Sequence, residues 1–217
     1  MQNQETSGPA GDVVHGPAAT TPPPARKRPK PGERRVQILQ TLAAMLEQPG
    51  GERVTTAALA ARLDVSEAAL YRHFASKAQM FEGLIEFIEQ SVFTLVNQVL
   101  DRDAPGRDKA ARIVSLLMQF AEKNPGMTRV MVGDALVHEN ERLQSRMNQF
   151  FDKLESMLRQ ALRDAAVDSG SATPTVDAQV QASVLAAFVA GRLQRYARSG
   201  FRRPPSEHLE ASIALML

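Results

Sequence analysis

From Glu33 onward, apolar side chains recur at helical spacing in segment after segment, and this periodicity limits the fold more tightly than any compositional figure. Val36, Leu39, Leu42, Ala43 and Leu46 fall at i, i+3, i+6, i+7 and i+10, one face of a first helix, and the Pro-Gly-Gly run at 49–51 ends it. Thr55-Thr56 is a start signal for a short second helix, AALAARL. Ser66 caps a third, EAALYRHF, of barely two turns. Ser76 with Gln79 three residues on forms a capping box for a long fourth helix. Its apolar row is Phe81, Leu84, Ile85, Ile88, Val92, Leu95, Val96 and Val99.

The pattern continues through 108–123, with Ile113, Leu116, Leu117 and Phe120. Asn124 caps a short helix with Pro125 at its first position. A long amphipathic helix over 139–166 carries Leu143, Met147, Phe150, Leu154, Leu158 and Leu162. VDSGSATPT is a loop, and 177–199 and 206–217 make the last two helices. No segment reads as a strand or a repeat. The expected architecture is all-α, about nine helices with mostly antiparallel neighbours.

Composition narrows the function. The chain has 217 residues and no cysteine, which excludes disulfides, thiolate nucleophiles and cysteine-held zinc and fits a reducing compartment. The longest apolar run, VLAAFVAG at 184–191, is far short of the ~20 residues of a membrane span. With no signal-peptide stretch at the start, a soluble cytoplasmic protein is expected, with no membrane partner. Between Arg26 and Lys77 ten basic residues face five acidic ones, a local charge of +5 in a chain whose net charge is +2. A basic front on a mildly acidic body points to a polyanion as partner. Residues 1–32, rich in Pro, Gly and Thr, are too poor in apolar side chains to offset their ordering and form a disordered arm ending in ARKRPKPGERR. The arm either follows DNA phosphates or serves as a solubilising leader.

Two short helices joined by a tight turn, the second opened by Ser66, have the form of a helix-turn-helix. Its second helix enters the major groove by its N-terminal residues. Ser66, Glu67, Ala68 and Ala69 are short at that end, so the backbone comes close to base edges. One turn later Tyr71, Arg72 and His73 reach phosphates, and Lys77 meets another from the start of helix four. Phe74 packs helix three against helices one and four. The plainer alternative is an αα-hairpin with Tyr and His as half-buried packing groups.

The stretch VTTAALAARLDVSEAALYRHFASKAQMF resembles the DNA-binding module of the TetR family of bacterial repressors. The resemblance rests on Thr55-Thr56, Leu59-Ala60, Val65-Ser66, Leu70-Tyr71-x-His73-Phe74 and Ser76-Lys77. Asp64 stands where the family's turn usually has Gly, and Asp tolerates a left-handed conformation better than most residues. The resemblance implies a TetR-like homodimer on palindromic double-stranded DNA, with Thr55 and Thr56 among the DNA-binding residues. It divides the chain into the arm at 1–32, a three-helix DNA-binding domain at 33–78 and a helical dimerisation and partner-binding domain at 79–217.

EAALYRHFASKAQMFEGLIEFIEQS, AEKNPGMTRVMVGDAL and ERLQSRMNQFFDKLE are similar to one branch of that family, the nucleoid occlusion factors. Members are nucleoid-associated homodimers that, when bound to chromosomal palindromes, engage the C-terminal tail of the tubulin-like division protein FtsZ and antagonise its polymers. The tail site then corresponds to Phe87, Leu116, Lys123 and Asn124, with Gln119 in place of a small residue. From pattern alone Phe87 lies off the main apolar row of its helix, whereas plain core remains the alternative for Phe87 and Leu116.

Dimerisation is expected from the last two helices, through Val184, Leu185, Phe188, Val189 and Leu193, with a dimer of dimers on DNA as a further arrangement. The other open reading is a repressor whose helical body holds a small-molecule inducer, for which no Trp and two Tyr supply few aromatic walls. Chemistry is not expected. HEN at 138–140 lacks the second His of a zinc helix, since Arg142 stands there, and Glu139 and Glu141 read as solvated helix ends. No catalytic residue, metal or cofactor is assigned.

Overall fold

The computed structural model describes residues 32–48 and 53–217. The predicted arm up to residue 31 and the turn at 49–51 lie outside the described residues. Among those described there are nine α-helices and no strand: α1 Glu33–Leu46, α2 Thr56–Arg62, α3 Glu67–Tyr71, α4 Lys77–Leu100, α5 Gly106–Lys123, α6 Pro125–Met131, α7 Glu141–Asp168, α8 Pro174–Arg198 and α9 Leu209–Met216. A 3-10 turn, Asp134–Leu136, precedes α7.

The local signals work as their chemistry requires. The side chains of Thr55, Ser66 and Ser76 accept from the backbone N–H of Ala58, Ala69 and Gln79, at 3.1, 3.3 and 3.2 Å. Gln79 reaches back to the N–H of Ala75 at 2.9 Å, closing the box one residue earlier than the usual pattern. Asp64 adopts φ +55°, the left-handed turn expected of it. Asn124 does hold the N-cap position of α6 with Pro125 behind it, but its side chain caps nothing there. Its amide instead donates to the carbonyl of Phe120 at 2.8 Å, closing the end of α5. Helix α8 starts three residues before the expected 177, because Pro174 is a fitting first residue and Asp177 accepts from Thr173 and Ser171 ahead of it.

A four-helix body of α4, α5, α7 and α8 surrounds the main core, with α7 packed lengthwise on α8. Leu143, Met147, Phe150, Leu154, Leu158 and Leu162 all point inward, as the periodicity predicts. Phe93 and Phe150 meet with ring centroids 5.0 Å apart. Two expected core positions are not core. Val36 is exposed because the buried stripe of α1 runs through Ile38, Leu42, Ala43 and Leu46, and two residues turn the helix by about 200°. Leu95 is also exposed, on the flank of α4.

Ion pairs form a seam between α4 and α7 with the segment leading into it. Lys77 pairs with Glu139, Arg142 with Glu82, and Arg146 with Glu89 through two bonds of 3.0 and 2.6 Å. Partner numbers rise together on both helices, so α4 and α7 leave the N-terminal module side by side in the same direction. The Glu89 bonds raise the Arg146 guanidinium pKa above its ordinary value. Short helix α6 fills the corner between α1 and α4. Burial, with Glu122 and Glu47 nearby, raises the Tyr196 hydroxyl pKa, which places the end of α8 close to the ends of α5 and α1.

Candidate nucleic-acid interface and partner groove

Helices α1 to α3 fold around Leu70 and Phe74, both buried. Phe74 lies against Gly83 of α4, where an added Cβ would sit 3.1 Å from its ring and 3.3 Å from Leu39 of α1. The Arg35 guanidinium stacks 4.0 Å from the Phe74 centroid and donates to the carbonyl of His73 at 2.9 Å. Helix α3 is thereby fixed on the α1–α4 corner as the sequence suggested, and its other face turns outward.

Along and just beyond α3, Ser66, Glu67, Ala68, Tyr71, Arg72 and His73 are exposed and Ala69 is half-buried. Tyr71 is 44% exposed. Thr56 donates to Glu67 at 2.6 Å and accepts from the Tyr71 hydroxyl at 3.5 Å, which ties the starts of α2 and α3 together. Thr55 is engaged as the cap of α2. Lys77, expected to meet a phosphate, has its ammonium paired with Glu139. Glu139 is correspondingly not a solvated helix end, for its side chain is 12% exposed. Sequence reasoning missed this partner because it lies 62 residues away.

The residues expected to hold a partner lie on α4, on α5 and at the end of α5, two helices joined by a short turn into an antiparallel pair. Five residues connect Leu100 to Gly106, so at equal rise Phe87 stands level with Gln119. Phe87 is 47% exposed, whereas the large apolar residues beside it, Leu84, Ile85 and Ile88, are buried. Leu116 is half-buried, Lys123 exposed and Asn124 half-buried. The opposite edge of α5 is occupied, Arg107 donating to the Leu217 carbonyl and Glu122 accepting from Ser206. The edge carrying Leu116 and Lys123 is therefore the one toward α4.

The expected dimer residues divide. Leu185, Val189 and Leu193 are buried within the single chain and Phe188 is half-buried, its ring 4.9 Å from the Arg192 guanidinium. Only Val184 of the five is exposed. The free apolar face lies one step round the helix, about 100° away, at Val176, Val180 and Val184 (60, 58 and 48% exposed). Helix α9 buries no residue fully and leaves Leu215 90% exposed.

Surface concavities of about 320 to 490 Å³ occur among the described residues, and each is lined by at least one arginine. No described helix is long and apolar enough to cross a membrane, and no group of His, Asp and Glu among the described residues has metal-site geometry.

Residues 38–84 match the family of bacterial regulatory proteins called tetR, and residues 108–217 match the SlmA-like tetracyclin repressor-like C-terminal domain. Among solved structures, the fatty acid degradation regulator FadR from Bacillus halodurans superposes with a TM-score of 0.69 at 12% identity, covering 88% of this chain and 96% of its own. FadR from Bacillus subtilis, in complex with stearoyl-CoA, gives 0.67 at 13% identity, covering 83% and 96%. At such identities the likeness shows the fold alone. The chain belongs to the TetR family of bacterial regulatory proteins, DNA-binding regulators that form dimers. It is 50% identical over 182 residues to the nucleoid occlusion factor SlmA of Photobacterium profundum, covering 83% of this chain and 92% of that one, and 49% identical over 183 residues to SlmA of Idiomarina loihiensis, covering 84% and 93%. Within the family its place is among the nucleoid occlusion factors. The proteins it matches are regulators and division factors, not enzymes.

Proposed function

We propose that the protein, as a dimer on palindromic chromosomal DNA, binds the C-terminal tail of FtsZ and antagonises its polymers, keeping the septum off the nucleoid. It acts in the cytoplasm, on the nucleoid itself. Residues 33–78 form the DNA-binding domain and 79–217 the domain for dimerisation and partner binding. Thr55, Thr56, Ser66, Glu67, Ala68, Ala69, Tyr71, Arg72 and His73 carry DNA recognition, and Lys77 contributes once released from Glu139.

The observation that carries the FtsZ reading is Phe87. A half-exposed phenylalanine on the flank of an otherwise well-buried helix, with exposed Lys123 at the end of the same groove, offers an apolar anchor and a charge for an extended acidic peptide. Leu116 supplies the floor. The valine face of α8 and Leu215 of α9 supply the dimer contact, an apolar strip that a second copy covers with the same residues.

The test is co-sedimentation with assembled FtsZ in the presence of a selected palindrome. Phe87→Ala and Lys123→Glu should each lower the amount of protein pelleted at least about tenfold, as a lost hot-spot residue does, with DNA affinity unchanged. Normal pelleting by both variants would remove the α4–α5 groove as the site.

A further inference from the structure

We propose that Glu139 is a positioning residue that holds Lys77 off the DNA backbone, so that DNA binding must break this pair and loosen the junction between module and body. The proposal rests on the reading of α2–α3 as the DNA-binding element.

Lys77 is the first residue of α4, directly behind the Ser76 cap and six residues beyond the end of α3. A cation there follows within a few residues of Tyr71, Arg72 and His73, all exposed. Yet its side chain is only 31% exposed, because it turns back to Glu139 in the segment leading into α7. That same segment touches the module a second time. Arg53, just ahead of α2, lies with Nη2 3.4 Å from Nε2 of His138. Residues 138 and 139 thus meet the DNA-binding module both before its first recognition element and after its last.

A lysine ammonium is a compact charge, and a phosphate oxygen and the Glu139 carboxylate draw on it from opposite sides. If Lys77 swings to phosphate, Glu139 is left poorly solvated without its counter-charge, which the segment relieves by moving outward. Asn140 caps α7 immediately after it, and the next two pairs of the seam, Arg142–Glu82 and Arg146–Glu89, bind α7 to the stretch of α4 that flanks Phe87. Release at the first pair is therefore passed to the helix carrying the partner groove. Any resulting coupling is reciprocal: what favours the released state at the groove favours DNA as well.

The experiment measures DNA affinity of the full-length dimer over a range of salt for wild type, Glu139→Gln, Glu139→Asp and the double variant Glu139→Gln/Lys77→Gln. Glu139→Gln should bind about fivefold more tightly per subunit, the equilibrium equivalent of one partly exposed ion pair. Its salt slope should steepen by about 0.9 for each lysine freed to neutralise a phosphate. Glu139→Asp should restore binding toward wild type, and the double variant should lose both the gain and the added slope. Thermal midpoints of all four report folding independently, and the Asp variant keeps the charge if Gln weakens the fold.

An unchanged affinity and slope in Glu139→Gln would overturn the proposal, since Lys77 would then reach phosphate and Glu139 together or neither. Weaker binding by a folded Glu139→Gln would overturn its direction, making Glu139 a guide toward DNA. Failure of the underlying reading is distinguishable, for it shows as wild-type DNA affinity that Arg72→Ala does not alter.

Discussion

Alanine at Gly126 should pry the DNA-binding module from the body. Helix α6 meets α1 there so closely that an added Cβ would lie 2.0 Å from the carbonyl oxygen of Ala43 and 2.9 Å from its carbon. A carbon–oxygen contact relaxes to about 3.3 Å, so the two helices have to part by more than about 1 Å. The obstacle is main chain inside a helix, which cannot rotate aside. Overpacking by a methyl group costs about 1–3 kcal/mol, and a rigid obstacle places Gly126→Ala near about 3 kcal/mol. For a domain of this size the melting temperature falls by about 6–12 °C. Gly83→Ala is the matched control. Its Cβ would meet only side-chain atoms, Phe74 at 3.1 Å and Leu39 at 3.3 Å. Those tips can give by a few tenths of an ångström, and alanine's better helix propensity returns about 0.8–1 kcal/mol, so the net change should stay within about 1 kcal/mol. Thermal unfolding followed by circular dichroism decides. Equal midpoints for the two variants, or a larger loss at Gly83, would refute the reasoning.

Three further outcomes follow from the same structure. Arg72→Ala should weaken DNA binding across sequences and reduce the salt slope by about 0.9 per subunit, whereas Tyr71→Phe, a neutral change, should weaken binding with the slope unaltered; equilibrium titrations at several salt concentrations check both. Val184→Arg, at an exposed position, should leave the fold intact and yield monomers in sedimentation velocity. Leu193→Ala, fully buried, should instead lower stability by about 2–5 kcal/mol with the dimer contact unaltered, as chemical unfolding would show.

Features set by neighbours in sequence were legible before the structure. Caps at Thr55, Ser66 and Ser76 need only a hydroxyl and an N–H two or three residues on, and all three form. The left-handed turn at Asp64 is likewise a property of one residue and its tight connection. Helical periodicity gave the inward row of α7 without error because that helix has one wet side. On α8, which is apolar on two sides, it could not choose: the single-chain core takes Leu185, Val189 and Leu193, and Val176, Val180 and Val184, one step away, are exposed. Pattern marks both rows as apolar and cannot say which the chain itself covers. Phe87 was legible as a residue out of row, but its exposure depended on where α5 lies. Least legible were contacts between distant segments. Lys77 with Glu139 and Gly126 against Ala43 each join segments more than sixty residues apart, and neither residue type announces its partner.

The central claim, that DNA licenses the engagement of FtsZ, is tested most directly by co-sedimentation of the wild-type protein with assembled FtsZ, with and without a palindrome selected from random duplexes. The account predicts that the protein pellets with FtsZ, or dissolves its polymers, only when the palindrome is present. Association of equal extent without DNA, or DNA binding with no effect on FtsZ, would contradict it.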